Sequence, residues 1–187
     1  MKELRNVLFE TIGIADELNC DYAIMGGIAV RMYGIPRATF DVDITLSITR
    51  SKLNSFFDMA ESRGFTILDA YRRGWVDRVG EMPLVKLRYY LQDQGLDVDV
   101  FLVETKFQGS VIQRRKLERM EGDASAWFVS PEDLILMKLI ANRPRDQGDV
   151  QDIFFMQGEL DMNYLKQWSD WLEVRSRLEK ALSDVNR

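Results

Sequence analysis

Apolar residues recur every three or four positions near the N-terminus, a spacing that places them on one face of an α-helix. These residues are Leu4, Val7, Leu8, Ile12, Ala15 and Leu18. They predict an amphipathic helix over residues 2–19. The apolar run "IAVRMYG" predicts a second, short helix that ends at Gly34, with Pro36 just beyond it as a stop signal. A third helix is predicted over residues 50–63.

Segments rich in β-branched and aromatic residues lie between these helices and predict strands. The predicted strands occupy residues 21–25, 38–46 and 65–68. Residues 83–103 predict a hairpin with its turn at Asp93-Gln94-Gly95. The stretches "LERM" and "AWFV" predict one further pair of strands. Residues 72–79 have no clear period and are predicted to be a loop or an edge segment.

The pattern becomes helical from Ser130 onward. Ser130 is a predicted N-cap, Pro131 suits the first helical position, and Glu132 and Asp133 complement the helix dipole. Two or three further helices are predicted within residues 147–185.

These elements predict an α/β (α+β) fold with a mixed sheet flanked by helices. The chain divides at Ser130-Pro131. Residues 1–129 are predicted to form the α/β domain, and residues 130–187 a small C-terminal helical subdomain.

Composition limits the class of protein. The chain has 187 residues, 46% hydrophobic and 29% charged, which is typical of a globular domain. No apolar stretch approaches the roughly 18 residues of a membrane span, and acids interrupt the N-terminal apolar run, which argues against a signal peptide. Cys20 is the one cysteine, so it has no disulfide partner within the chain, and we expect a cytoplasmic location.

Charge and the lack of histidine restrict the chemistry. The net charge of −5 argues against a surface built for nonspecific nucleic-acid binding, although a local basic patch remains compatible with it. The chain contains no histidine, which excludes imidazole bases and histidine-ligated zinc. Catalysis would have to use carboxylates, lysine, arginine, hydroxyls, backbone dipoles or a hard metal ion.

Two predicted strands carry pairs of carboxylates. Asp41 and Asp43 share one face of the strand "ATFDVDITL" because alternate side chains of a strand point the same way. Asp97 and Asp99 repeat this pattern in "LDVDVFLV". If the two strands are neighbours in one sheet, three or four carboxylates converge. Ligands that are all oxygen favour Mg²⁺ or Mn²⁺.

A structural explanation competes with this hypothesis. A single Asp-x-Asp pair on a half-exposed strand is more often a solvated face than a metal site. Asp97 in particular has Lys86 and Arg88 across the predicted hairpin as partners for an exposed ion pair.

A glycine pair precedes the first carboxylate pair. Gly26 and Gly27 join a predicted strand to a predicted helix, where backbone amides can bind a phosphate. A Gly-Gly turn alone is most often a tight connection. Followed 14 residues later by a carboxylate pair, it combines the phosphate cradle and the metal ligands that phosphoryl transfer needs.

The sequence resembles the polymerase-β-type nucleotidyltransferase superfamily. Its hallmark is a strand, a Gly-Gly or Gly-Ser step, an Asp-x-Asp strand and a third acid on an adjacent strand. The matching residues are Gly26, Gly27, Arg37, Thr39, Asp41, Asp43 and Asp99. The chain departs from CCA-adding enzymes and poly(A) polymerases, because Met32 follows Arg31 where they carry an acid.

A closer resemblance is to AbiE-type toxins and related small prokaryotic nucleotidyltransferases. Their helical tail carries a pattern similar to "SPEDLILMKLIANRPRDQGDVQDI". The resemblance covers about residues 20–155. Many members of the toxin group have serine where this chain has Gly27, which removes one hydroxyl contact to phosphate.

The resemblance implies a nucleotidyltransferase-type sheet and a set of site residues. Gly26 and Gly27 would bind the triphosphate, and Asp41, Asp43 and Asp99 would be catalytic residues that hold Mg²⁺ or Mn²⁺. Asp97 lies two residues before the position that matches the third acid of the family, so it is interpreted as a neighbouring or additional carboxylate.

The resemblance also implies a tail lysine and a later aspartate in the site, which map to Lys138 as a catalytic and nucleotide-binding residue and to Asp149 as a nucleotide-binding residue. Asp146 and Asp152 compete with Asp149 for this role. Lys138 has a structural alternative as a polar position on an apolar helix. Arg37 would balance phosphate charge, or instead pair with an acid to hold the entrance of the strand.

The implied activity is magnesium-dependent transfer of a nucleoside monophosphate from an NTP such as ATP to a hydroxyl, with release of pyrophosphate. RNA, such as a tRNA 3′ end, is the favoured acceptor, in a toxin–antitoxin setting with an antitoxin protein as candidate partner. The stretches "YRRGW", "RRK" and "RPR" would form a basic rim for RNA, with Tyr71 and Trp75 stacking on bases.

Two alternatives remain open. The acceptor could be an aminoglycoside or lincosamide drug, which predicts an acidic pocket. The chain could also be a catalytically silent nucleotidyltransferase-like module that binds a partner protein.

Overall fold

The computed structural model describes residues 2–91, 94–120, 122 and 124–185. Its helices are α1 (Lys2–Glu17), α2 (Gly26–Tyr33), α3 (Leu53–Ser62), α4 (Asp69–Arg72), α5 (Lys106–Arg114), α6 (Pro131–Ala141), α7 (Pro144–Met156), α8 (Met162–Trp171) and α9 (Arg175–Val185). Its strands are β1 (Tyr22–Ile24), β2 (Asp41–Leu46), β3 (Phe65–Ile67), β4 (Asp77–Val79), β5 (Met82–Leu91), β6 (Gln94–Leu102), β7 (Lys116–Arg119) and β8 (Ser125–Phe128).

The strands form one mixed sheet in the order β3-β5-β6-β2-β1-β8-β7, with β4 paired to β5 at the edge. β2 is parallel to β6 and antiparallel to β1, while β1 is parallel to β8. Helices flank this sheet, and the predicted α/β fold with a helical C-terminal part is confirmed.

One face of the central strands belongs to the core. Val42, Ile44, Val98 and Val100 have no solvent exposure, and α1 packs against β2 and α3. Burial of these β-branched side chains favours folding, because it removes apolar surface from water. The aspartates of β2 and β6 alternate with these residues, so they project from the opposite face.

The C-terminal helices pack around α6, which contacts α2, α7 and α8. Ser130 caps α6: its hydroxyl accepts from the Asp133 amide at 3.1 Å and donates to Asp133 Oδ2 at 2.7 Å. Tyr164 of α8 donates to Asp133 Oδ1 at 2.6 Å and lies 2.9 Å from the Ser110 hydroxyl of α5. This polar cluster ties α5, α6 and α8 together.

Most predicted elements are confirmed, with shifted boundaries. The hairpin is present as β5 and β6, but the predicted turn is misplaced, because Gln94 and Gly95 belong to β6 and pair with Leu91 and Tyr90. Asp93 lies outside the described residues. The pair formed by "LERM" and "AWFV" is present as β7 and β8, and the segment over residues 72–79 contains the edge strand β4. Within the described part of the chain, every helix is too short or too polar to cross a lipid bilayer.

Two differences have local causes. α2 begins at Gly26 rather than at residue 28, so both glycines lie inside its first turn. α5 was not predicted because its few apolar positions are separated by polar ones. A capping box between Thr105 and Gln108 was the available signal.

Candidate active site

The register of the parallel strands brings the predicted carboxylates together. In the β2–β6 pair, Asp43 is the partner of Asp99 and Asp41 is the partner of Asp97. Asp41, Asp43 and Asp99 line one cavity of about 80 Å³, whereas Asp97 is not part of its lining. The convergence expected from the two Asp-x-Asp pairs is therefore present in the structure, and it includes Asp99 rather than Asp97.

Asp43 has an unfavourable environment for its negative charge. Burial, followed by repulsion from Asp41 and Asp99, raises the pKa of Asp43 from 3.8 to about 7. Its carboxylate forms no ion pair with a described residue, and Lys138 and Arg143 only partly offset the repulsion. Asp41 accepts a hydrogen bond from the Thr39 hydroxyl at 2.7 Å.

The acids of β6 differ, because each pairs with a cation on β5. Lys86 Nζ lies 2.9 Å from both Asp99 carboxylate oxygens. Arg88 pairs with Asp97 at 3.4 Å. Asp97 therefore forms the cross-strand ion pair that was the structural alternative to a metal-binding role for this residue. Burial raises the pKa of Asp99 despite the hydrogen bond from Lys86.

The position of Gly26 requires glycine both for its backbone conformation and for the space around its Cα atom. Its φ is +64°, in the left-handed region that glycine favours, and a Cβ there would lie 1.8 Å from Asp43 Oδ2. A Cβ on Gly27 would lie 2.3 Å from Thr39 Oγ1, so serine at position 27 would collide with Thr39. No side chain caps α2, and its first amides lack intrahelical acceptors. These amides are therefore suited to bind an anion.

The predicted tail residues form a buried charge network. Lys138, which is 6% exposed, contacts Asp146 Oδ1 at 2.9 Å and Asp149 Oδ2 at 2.8 Å. Arg37 donates to both oxygens of Asp149 at 2.6 and 2.7 Å, and Arg143 Nε lies 2.8 Å from Asp146 Oδ2. Hence Asp146 and Asp149 both belong to the network.

The network links the tail to the carboxylate cavity. Lys138 and Arg143 line that cavity together with the acids of β2 and β6. Burial opposes the ionisation of Asp149, but hydrogen bonds from Arg37 and Lys138 hold its pKa below the ordinary value. The Arg37–Asp149 pair matches the structural role considered for Arg37, since it fixes the segment that leads into β2.

Asp152, the remaining competitor, lies elsewhere. Its Cβ is 3.4 Å from the point where a Cβ on Gly34 would sit, and no described contact joins it to the network.

Arg143 lines the carboxylate cavity, a position that the sequence analysis did not predict. The sequence offered one clue, because Arg143 directly precedes Pro144 and lies three residues before Asp146 at the start of α7.

The predicted basic rim for RNA is largely occupied by internal contacts. Tyr71 is buried and donates to Asp77 at 2.7 Å, so the expectation that its ring stacks on bases is wrong. Arg72 pairs with Asp58 and Glu61, Arg114 with Glu132, and Arg115 with Asp21. Trp75 remains 63% exposed.

The chemistry of the side chains that line the carboxylate cavity is suited to a hard divalent cation. The donor set is all oxygen, and the Asp43 carboxylate lacks a balancing cation. Among the described residues, however, no three acidic or thiol side chains are already arranged to hold a metal. Lys86 also occupies both oxygens of the Asp99 carboxylate.

Raising the pH is expected to destabilise the protein without ligands between about pH 4 and pH 7. In this window folded Asp43 keeps a proton that the unfolded chain has lost, so the free energy of unfolding falls as pH rises. We expect Asp43→Asn to remove this part of the dependence and to be about 1–3 kcal/mol more stable at pH 8. Urea unfolding from pH 5 to 8 measures it, with Asp97→Asn as control. An unchanged profile in Asp43→Asn would contradict the prediction.

Two solved structures share this fold over most of their length. The crystal structure of ANT(2″)-Ia in complex with adenylyl-2″-tobramycin has a TM-score of 0.59 at 15% identity, covering 95% of this chain and 99% of that chain. The lincosamide antibiotic adenylyltransferase LnuA, bound to lincomycin, has a TM-score of 0.51 at 14% identity, covering 80% and 96%. At these identities the likeness concerns the fold, which is that of the nucleotidyltransferases.

The family follows from the sequence itself. The model of the family described as "Nucleotidyltransferase of unknown function (DUF6036)" matches residues 2–183, so the chain belongs to this family. No curated protein has a significantly similar sequence. The resemblance to nucleotidyltransferases is thereby confirmed, whereas the closer resemblance to AbiE-type toxins stays a prediction.

Proposed function

We propose that the protein transfers a nucleoside monophosphate from an NTP to a hydroxyl acceptor, with release of pyrophosphate. One observation carries this proposal: Asp41, Asp43 and Asp99 line the same cavity as Gly26, the first residue of α2. The proposed metal ligands and the proposed phosphate-binding helix terminus would thus lie at one place, as in-line phosphoryl transfer requires.

Each group has a proposed role. Asp41, Asp43 and Asp99 would hold Mg²⁺ or Mn²⁺, which when bound would neutralise phosphate charge and activate the hydroxyl. The amides of Gly26 and Gly27 would orient the triphosphate, and Asp99 would accept the proton of the attacking hydroxyl.

The charge network around buried Lys138 would contribute positive charge. It combines the cations of Arg37, Lys138 and Arg143 with the carboxylates of Asp146 and Asp149, which leaves one net positive charge beside the cavity. We propose that Lys138 and Arg143 stabilise the pentavalent transition state from this position. Arg37 and Asp149 would act mainly by fixing Lys138 in place.

The proposed acceptor is RNA, such as a tRNA 3′ end, in a cytoplasmic toxin–antitoxin setting. A small cationic hydroxyl compound is the second candidate, and a specific feature favours it. A cavity of about 450 Å³ shares Met82 with the carboxylate cavity and is lined by Trp171, Glu81 and Glu173. An exposed indole and two carboxylates are suited to an amino sugar.

Release of pyrophosphate from each NTP in the presence of Mg²⁺ tests the function, with bulk tRNA or an aminoglycoside and lincosamide panel as acceptor. We expect release that depends on one acceptor class, and mass spectrometry of the acceptor should show one added nucleotide. Release with tRNA supports the RNA hypothesis, and release with a drug supports the second. Absence of release from every mixture would favour the silent partner-binding module.

A further inference from the structure

We propose that Lys86 is a resident counter-ion that competes with the divalent cation for Asp99, so that Asp99 becomes a metal ligand only after the Lys86 ammonium moves away. The inference rests on the proposed metal-dependent function. It makes Lys86 a positioning residue that controls when the third carboxylate is available.

The geometry of the pair supports competition rather than assistance. Lys86 and Asp99 are direct partners across the antiparallel β5–β6 ladder. The ammonium lies 2.9 Å from each oxygen of Asp99, so both oxygens are engaged at once. A cation bound at the cavity would need one of these oxygens. Two cations that share one carboxylate repel each other, which favours departure of the ammonium.

The lysine is free to leave. Its side chain is 49% exposed, while that of Asp99 is 23% exposed. Exposed lysine–carboxylate pairs contribute little to stability, because water solvates the ammonium well and the side chain gains freedom on release. A divalent cation held by three carboxylates is a stronger interaction, so it can displace the ammonium at little cost to the fold.

Asp41 and Asp43, the other acids of the site, form no such ion pair with a described residue. Asp41 accepts only the Thr39 hydroxyl, and Asp43 has no ion-pair partner among the described residues. The site therefore has two kinds of candidate ligand: the acids of β2 have no ion-pair partner among the described residues, and Asp99 of β6 is engaged by Lys86. We expect a first cation to bind through Asp41 and Asp43, and the contribution of Asp99 to follow the displacement of Lys86.

The chain provides a matched control in the next cross-strand pair. Arg88 and Asp97 occupy the equivalent positions two residues along the same ladder, with a 3.4 Å contact, and neither lines the carboxylate cavity. Removing the Arg88 charge changes the surface in the same way as removing the Lys86 charge. It leaves the proposed metal ligands untouched.

Titration of the nucleotide-free protein with Mn²⁺, followed by electron paramagnetic resonance, measures the competition directly. We expect Lys86→Met to raise the affinity for Mn²⁺ by about threefold to tenfold, because the competitor is lost. Lys86→Arg, which keeps the charge, should stay near wild type, and so should Arg88→Met. Thermal unfolding confirms that each variant is folded.

Asp43→Asn separates the two possible failures. If Asp43→Asn loses Mn²⁺ affinity while Lys86→Met gains none, the competition is refuted and the metal site stands. Lower affinity in Lys86→Met would also refute it, since it would show that the lysine organises Asp99 for binding. If Asp43→Asn leaves Mn²⁺ binding unchanged, the proposed metal site itself is wrong.

Discussion

Asp43→Asn is expected to lower nucleotidyl transfer by at least about 10³-fold, which corresponds to about 4 kcal/mol of transition-state stabilisation. The variant keeps the shape of the side chain but removes the charge that would hold the metal between β2 and β6. Burial, followed by repulsion from Asp41 and Asp99, raises the pKa of Asp43 to about 7, and the neutral amide removes both costs of charging this position. Activity and stability should therefore change in opposite directions.

The opposite changes distinguish a functional carboxylate from a structural one. Pyrophosphate release measures the first quantity, and urea unfolding at pH 8 measures the second. Asp97→Asn is the matched control, because Asp97 lies in the same strand pattern but pairs with Arg88 and is not part of the cavity lining. We expect it to keep near-normal activity. Near-normal transfer by Asp43→Asn would overturn the assignment of the metal site.

Lys138→Met is expected to lower the free energy of unfolding by about 3–5 kcal/mol, the usual cost of removing one partner from a buried ion pair. Its ammonium contacts Asp146 and Asp149, and both carboxylates are only 2% exposed. Without Lys138, each keeps only an arginine partner, Arg143 or Arg37. Urea unfolding measures the loss, which should be largest above pH 4, where the carboxylates are ionised.

A second substitution tests whether charge causes this effect. Lys138→Met combined with Asp149→Asn removes one of the two buried carboxylates that have lost their contact with the lysine, so it should recover part of the lost stability. Arg143→Met is the control for a cation of the same network, and it should destabilise far less, since the Arg143 side chain is 73% exposed. Wild-type stability in Lys138→Met would show that the network contributes nothing to the fold.

Local features of the fold were predictable because they depend on near neighbours in the chain. The cap of α6 is one example: Ser130 bonds the amide and the carboxylate of Asp133, three residues away. The hairpin of β5 and β6 is another, since its alternating pattern and turn lie within one continuous segment. The sequence likewise determined that Asp41 and Asp43 share a face, because a strand has a period of two.

Contacts between residues far apart in the sequence determined which strands pair and which charged side chains meet. The parallel register that puts Asp43 beside Asp99 joins strands more than fifty residues apart, and the choice of partner depends on the whole sheet. Lys138 had three aspartates within reach along the sequence, and helix packing selected Asp146 and Asp149. That Lys86 engages Asp99 while Arg88 engages Asp97 also follows from register. Local chemistry supplied the charged groups, and tertiary packing determined which of them meet, since Coulomb and hydrogen-bond energies depend on distance in space.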